Sequence, residues 1–224
     1  MFAHPKIVNS TIIHYLCKRL CKGKQMEKIY EYETMKEISI LDYYPTKIQE
    51  TTELTPEQQI VSQFIISFKN GYQPASVLAA KIVAKTIAKH FNLEKEKPVF
   101  IPIPASKNED TTKRYHLFSY LVSQKCAVID GQTWVKNWQE TEKKHLSQDH
   151  IVQDDKNRWF VDYAKIKNAK VIIFDDISTT GETAASFIQR LEECGAKVIG
   201  EVFLASTFNL KKSLQNKTTP NSGT

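Results

Sequence analysis

Four cysteines in 224 residues, Cys17, Cys21, Cys126 and Cys194, are too few and too scattered to staple a disulfide scaffold. The single close pair, Cys17 and Cys21, has no second pair downstream to complete a four-cysteine zinc site. Reduced thiols follow. Seven glycines and eight prolines exclude collagen-like and Pro/Gly low-complexity chains. Long apolar runs are missing too: Val171–Phe174 and Val202–Ala205 fall far below the roughly 18 residues needed to cross a bilayer, so no membrane partner is expected. The amino-terminal stretch, interrupted by Lys6, Asn9 and His14, lacks the continuous apolar segment and small-residue cleavage site of a secretory signal. The expected location is the cytoplasm.

What is present is ordinary globular composition, 41% hydrophobic and 25% charged, enough for one substantial domain with an appendage. Lysine plus arginine number 31 against 25 acidic residues, a net charge of +6 that favours polyanionic ligands, whether phosphorylated metabolites or nucleic acid. Ser10 caps an expected basic amphipathic helix bearing Ile12, Ile13, Leu16 and Leu20 and stopped at Gly23. Between Lys28 and Tyr44, strand formers with partial alternation suggest an edge hairpin or an extended arm. Thr55-Pro56-Glu57-Gln58 carries a capping threonine, a proline suited to the first helical position and a glutamine three residues on, which announces a helix to about Lys69. A second helix is expected from Ser76 to Phe91, a short strand over Pro98–Pro104, and, after a polar loop, a helix around Tyr115 to Lys125. Gln132 to Gln148 keeps no clean period and reads as a long mobile loop, in which Trp134 and Trp138 either stack a base or bury the loop against the core.

The clearest unit follows: strand Lys170–Phe174, turn Asp175–Gly181, helix Glu182–Cys194 and strand Lys197–Ala205, a β-α-β crossover with parallel strands. Four apolar residues bury the first strand on both faces, so Asp175 and Asp176 emerge at its carboxyl end, where open α/β sheets hold their ligands. Ser178, Thr179, Thr180, Gly181, Glu182 and Thr183 open the helix, whose free N–H groups suit a phosphate. Carboxylates for vicinal hydroxyls beside amides for phosphate describe a handle for a phosphorylated ribose. Taken singly, an Asp-Asp pair or a Thr-Thr-Gly turn is more often a cap or a solvated turn.

Val171–Thr183 resembles the phosphoribosyl pyrophosphate (PRPP) motif of type I phosphoribosyltransferases, with Ser178 standing where that family usually has an aliphatic residue. The order Phe68-Lys69-Asn70-Gly71, Ile101-Pro102-Ile103-Pro104, Lys113-Arg114-Tyr115, His145-Leu146-Ser147 and the motif is similar to competence protein F (ComF)-type members over residues 54–208. The paired Cys-x-x-Cys ligands with which many of those begin are missing. The resemblance implies an α/β fold, a mostly parallel sheet flanked by helices, over residues 54–208; the residues themselves read 1–53 as an amino-terminal helix and arm and the polar, aperiodic 209–224 as a disordered tail. It implies that Asp175 and Asp176 bind the ribose hydroxyls directly or through Mg²⁺, as metal and catalytic residues. It makes Ser178–Thr183 the 5-phosphate cradle, and Ala105, Ser106, Lys107 and Arg114 the contacts to pyrophosphate. A loop with Lys143, Lys144 and His145 would close over the reaction, with His145 as a further catalytic residue. Arg114 has a second reading, as partner of an acid on its helix. The expected activity is Mg²⁺-dependent transfer of phosphoribose from PRPP to a base or amine with pyrophosphate release. The alternative is a non-catalytic PRPP or nucleotide sensor associated with DNA uptake or regulation. Nucleic acid and a second copy of the chain remain as further partners.

Overall fold

The computed structural model describes residues 27–32, 35–138 and 158–208. The amino-terminal helix with Cys17 and Cys21, the segment around Lys143, Lys144 and His145, and the tail after residue 208 lie outside the described residues. Strands β1 (Lys28–Glu31) and β2 (Lys36–Tyr43) form an antiparallel hairpin. A short helix α1 (Thr46–Thr51) precedes α2 (Pro56–Lys69), where the Thr55 side chain accepts from the Gln58 N–H and the Gln58 side chain accepts from the Thr55 N–H. Two orphan donors are satisfied at once, which is why the start was legible. Helix α3 (Gln73–His90) begins three residues before the expected Ser76, because Pro74 sits in its first turn, where a missing N–H costs nothing. A single turn, α4 (Leu93–Glu96), leads to β3 (Val99–Pro102).

Helix α5 (Asn108–Lys125) starts seven residues before the expected Tyr115. Its first turn is polar and carries Glu109 and Asp110, which suit the positive end of the dipole but show no apolar period. After β4 (Ile129–Asp130) and a 3-10 turn (Gln132–Trp134), β5 (Val135–Asn137) pairs antiparallel with β6 (Trp159–Val161). Part of the stretch expected as loop is therefore a two-stranded ribbon, whose buried Val135, Trp159 and Val161 pack with Phe187. Helix α6 (Tyr163–Ile166) then leads to β7 (Lys170–Ser178), α7 (Glu182–Glu193) and β8 (Lys197–Thr207).

The main sheet has the order β1-β2-β8-β7-β3-β4, with every neighbouring pair parallel except β1 with β2. The fold is thus α/β, a mostly parallel sheet flanked by helices. The hairpin expected as an arm is part of it, since β2 runs beside β8 from Lys36↔Gly200 to Tyr43↔Thr207. Alternation along β7 divides the core: Ile172 and Phe174 join the cluster under α2, α3 and α5, whereas Val171 and Ile173 join the cluster under α7 and the β5–β6 ribbon. On the first side Phe68, Phe100, Tyr115, Phe118 and Phe174 interlock, with the Phe118 and Phe174 rings 4.6 Å apart. At Gly131 the chain passes close over β3. A β-carbon there would lie 2.5 Å from Val99 Cγ1 and 2.8 Å from Ile101 Cγ1, both in the core. Gly131→Ala is therefore expected to lower stability by about 1–3 kcal/mol, read from the urea midpoint at unchanged slope. Among the described residues no helix is long and apolar enough to cross a membrane.

Candidate functional site

Chain direction fixes where a ligand would meet this sheet. From β3 the chain passes through α5 to β4 at one edge, with α5 on one face; from β7 it passes through α7 to β8 in the opposite sense, with α7 on the other face. β3 and β7 are neighbours, in register from Val99↔Val171 to Pro102↔Phe174. The crevice between their carboxyl ends is thus the topological switch point, the place where open α/β sheets bind ligands. The Ile103 N–H still donates to the Phe174 carbonyl, 2.8 Å, so the loops after both strands leave the sheet side by side.

The loop after β3 holds Ala105, Ser106 and Lys107, the last two exposed. Sequence reading missed what anchors it. Asn108 and Asn137 clasp one another, Asn108 Nδ2 donating to the Asn137 carbonyl at 3.1 Å and the Asn137 N–H to Asn108 Oδ1 at 3.0 Å. The Asn137 side-chain amide also donates to the Ala105 carbonyl. The ribbon strand β5 therefore holds the loop at its base.

The strand expected to end at Phe174 continues to Ser178, carrying both aspartates within it. Backbone pairing with β8 extends to Ser178↔Ser206, which keeps the extended conformation going past the apolar run. Because strand residues alternate, Asp175 and Asp176 leave opposite faces. Asp176 goes to the α5 side, where it is 5% exposed and accepts from Arg114 Nη1 at 2.7 Å. Arg114 Nε donates to the Lys69 carbonyl at 2.9 Å, so one guanidinium ties the end of α2, helix α5 and strand β7 together. Arg114 is thus paired with a buried acid of β7 rather than with an acid on its own helix. Tyr115, fully buried beside them, has its phenol held well above the ordinary range by burial and then by Asp176.

Asp175 lies opposite Phe203 on the α7 side. Burial and the adjacent Asp176 raise its carboxyl to about 7. Glu201 of β8, 6% exposed, is raised to about 8 by burial, then by Glu37 and Asp175. Its Oε1 is buried with no hydrogen-bond partner among the described residues. Sequence reading passed over Glu201, although a lone carboxylate within Val198-Ile199-Gly200-Glu201-Val202-Phe203 is a signal in itself.

Beyond β7, Thr179, Thr180, Glu182 and Thr183 are exposed, and Ser178 and Gly181 half-buried. Gly181 has φ +80°, a left-handed turn that glycine adopts without strain, and a β-carbon there would meet nothing within 4 Å. The turn opens to solvent ahead of the amino terminus of α7. Of the expected site residues, the structure brings together Asp175, the 178–183 turn and the 105–107 loop at one crevice, turns Asp176 and Arg114 inward, and leaves His145 outside the described residues. Cys126 and Cys194 are buried free thiols, the Cys126 thiol pushed up to about 11 by burial.

No protein-family model matches the sequence, and no curated protein matches it. Among solved structures, the UMP synthase of Leishmania donovani is similar at 18% identity and a TM-score of 0.38, over 70% of this chain and 27% of that one. The chain thus spans about a quarter of the length of that structure.

Proposed function

We propose that the protein is of phosphoribosyltransferase type, binding PRPP with Mg²⁺ and passing the phosphoribosyl group to a nitrogenous base or amine. The observation that carries this reading is the pairing of the 105–107 loop with the 178–183 turn on either side of the switch point between β3 and β7. In it the 5-phosphate takes the N–H groups and hydroxyls of Ser178–Thr183, and the pyrophosphate takes the loop of Ala105, Ser106 and Lys107. The ribose hydroxyls donate to Asp175, whose negative charge favours the cationic sugar formed as the bond to pyrophosphate breaks. Asp176, engaged by Arg114, positions the strand rather than touching the sugar.

The donor set bears on the metal. Among the described residues no group of three acidic, histidine or cysteine side chains is arranged to hold an ion. One free carboxylate fits Mg²⁺ of the kind that keeps its waters and takes most remaining ligands from substrate oxygens. Asp175 would be that carboxylate, and the ion would supply charge neutralisation on the leaving pyrophosphate.

A second reading, a sensor that binds PRPP without transfer, is favoured by the Arg114–Asp176 pair, which leaves one acid rather than two to stabilise a cationic sugar. Pyrophosphate release from Mg²⁺-PRPP across a panel of bases and amines decides between them. Release with one acceptor, lowered at least about a hundredfold in Asp175→Asn, is the expected result. Binding with no release under any acceptor selects the sensor, and no binding at all removes both readings.

A further inference from the structure

The β5–β6 ribbon touches the framework of both loops at the switch point. Through β6 it meets α7, the Trp159 ring packing edge-on against Phe187 with centroids 5.0 Å apart. Trp159 is the register partner of Asn137, and beyond that pair the Trp138 N–H donates to the Arg158 carbonyl at 3.1 Å. Asn137 therefore stands on a backbone that is paired across the ribbon. Its side-chain amide donates to the carbonyl of Ala105, 32 residues earlier in the chain. The same amide leaves its Oδ1 buried with no hydrogen-bond partner among the described residues. A polar side chain with one orphaned atom is a poor choice for packing alone, and native proteins keep few of them without a functional reason.

Thr111, in the first turn of α5, holds the loop as well. Its hydroxyl lies 3.0 Å from the Lys107 carbonyl and 3.5 Å from the Ala105 carbonyl, and its N–H donates to the Lys107 carbonyl at 3.0 Å. These contacts decide which way the peptides of the loop face. No peptide bond among the described residues is cis, and in a trans peptide the N–H points opposite to the carbonyl. With the Ala105 carbonyl turned to the ribbon, the Ser106 N–H points away from it. With the Lys107 carbonyl turned back onto Thr111, the Asn108 N–H points out ahead of α5. The Ser106 and Lys107 N–H groups have no acceptor among the described residues. Successive free N–H groups of this kind make an anion-binding concavity. Glu109 and Asp110 already answer the dipole of α5, so the donors on offer to a ligand are those of the loop.

We propose that Asn137, seconded by Thr111, is a positioning residue for the pyrophosphate end of the ligand, turning the Ala105–Ser106 peptide so that the Ser106 N–H faces the diphosphate. This role rests on the PRPP reading and goes beyond it, because it makes affinity for one end of the ligand depend on a strand that touches no phosphate.

Magnesium pyrophosphate and ribose 5-phosphate are titrated separately by calorimetry into the parent, Asn137→Leu and Thr111→Val, with folding checked by circular dichroism. Asn137→Leu is expected to bind pyrophosphate at least about tenfold more weakly and Thr111→Val at least about threefold, while both hold ribose 5-phosphate within about twofold of the parent. A general structural loss would lower the two affinities together, since the ribbon also carries α7. Should Asn137→Leu not fold, Thr111→Val decides alone, because it leaves the Lys107 carbonyl its bond from the Thr111 N–H. The proposal is overturned, with the PRPP reading intact, if the folded variants bind pyrophosphate as tightly as the parent or if ribose 5-phosphate affinity falls in proportion. A parent that does not bind both ligands removes the PRPP reading, and this role falls with it.

Discussion

Arg114→Met is expected to lower the stability of the protein by about 3–5 kcal/mol, because it strands a carboxylate in the interior. Asp176 keeps 5% of its surface exposed and Arg114 Nη1 is its partner at 2.7 Å. Without the guanidinium the carboxyl must remain charged and unpaired or take up a proton, and either route favours the unfolded chain. Arg114→Lys should recover little, since a single ammonium cannot reach Asp176 while also donating to the Lys69 carbonyl as the planar fork does. The double variant Arg114→Met/Asp176→Leu should recover most of the loss, as apolar replacement of a buried pair often does. Urea unfolding of the parent, Arg114→Met, Asp176→Leu and the double variant gives the coupling energy directly. Additive single and double effects would mean that the pair does not join α2, α5 and β7 as described.

Glu201→Gln acts in the other direction. The folded protein holds the Glu201 carboxyl at about 8, against 4.5 for the free group. Its contribution is therefore intact below the unfolded value, and stability falls as pH rises from about 4.5 to about 8, because the unfolded chain releases a proton that the folded one retains. The slope for one such group approaches about 1.4 kcal/mol per pH unit. Glutamine cannot ionise, so the variant should lose this portion of the decline and exceed the parent by a few kcal/mol above pH 8, with little difference at pH 4. Thermal unfolding at stepped pH reads this out, and parallel curves for parent and variant would place the acid group outside the buried cluster. Asp175, raised to about 7, adds a further decline of the same sign that Glu201→Gln leaves in place.

The elements legible from sequence were those in which local chemistry and tertiary packing agree. The capping box at Thr55 and Gln58 and the glycine that terminates α7 each state a boundary, and the apolar run of β7 states the strand and its start. The errors fell where packing overrides local pattern. Polar Asn108–Arg114 is helical because it extends an anchored helix, and Asp175–Ser178 stays extended because β8 continues beside it. The ribbon strand Val135–Asn137 exists through pairing with residues more than twenty positions away, which no local period records. For the site, the 178–183 turn and the loop after β3 were visible as motifs. The division of adjacent aspartates between two faces was hidden by a strand boundary set four residues early, and with it the tie of Arg114 to Asp176.

The two ends of the main sheet also bear on how this chain behaves in crowded solution. At one end β1 is four residues long and every one is exposed, with Lys28 paired to Asp42 and Lys36 to Glu31. At the other, β4 has two residues. Neither border offers a long, flat row of free amides on which a neighbouring polypeptide could nucleate cross-β growth, and at the β1 border the charged side chains make an approach electrostatically awkward. A protein with five side-by-side parallel strands thereby keeps its most amyloid-competent segments, Val171–Phe174 and Val202–Ala205, locked at the centre of the sheet.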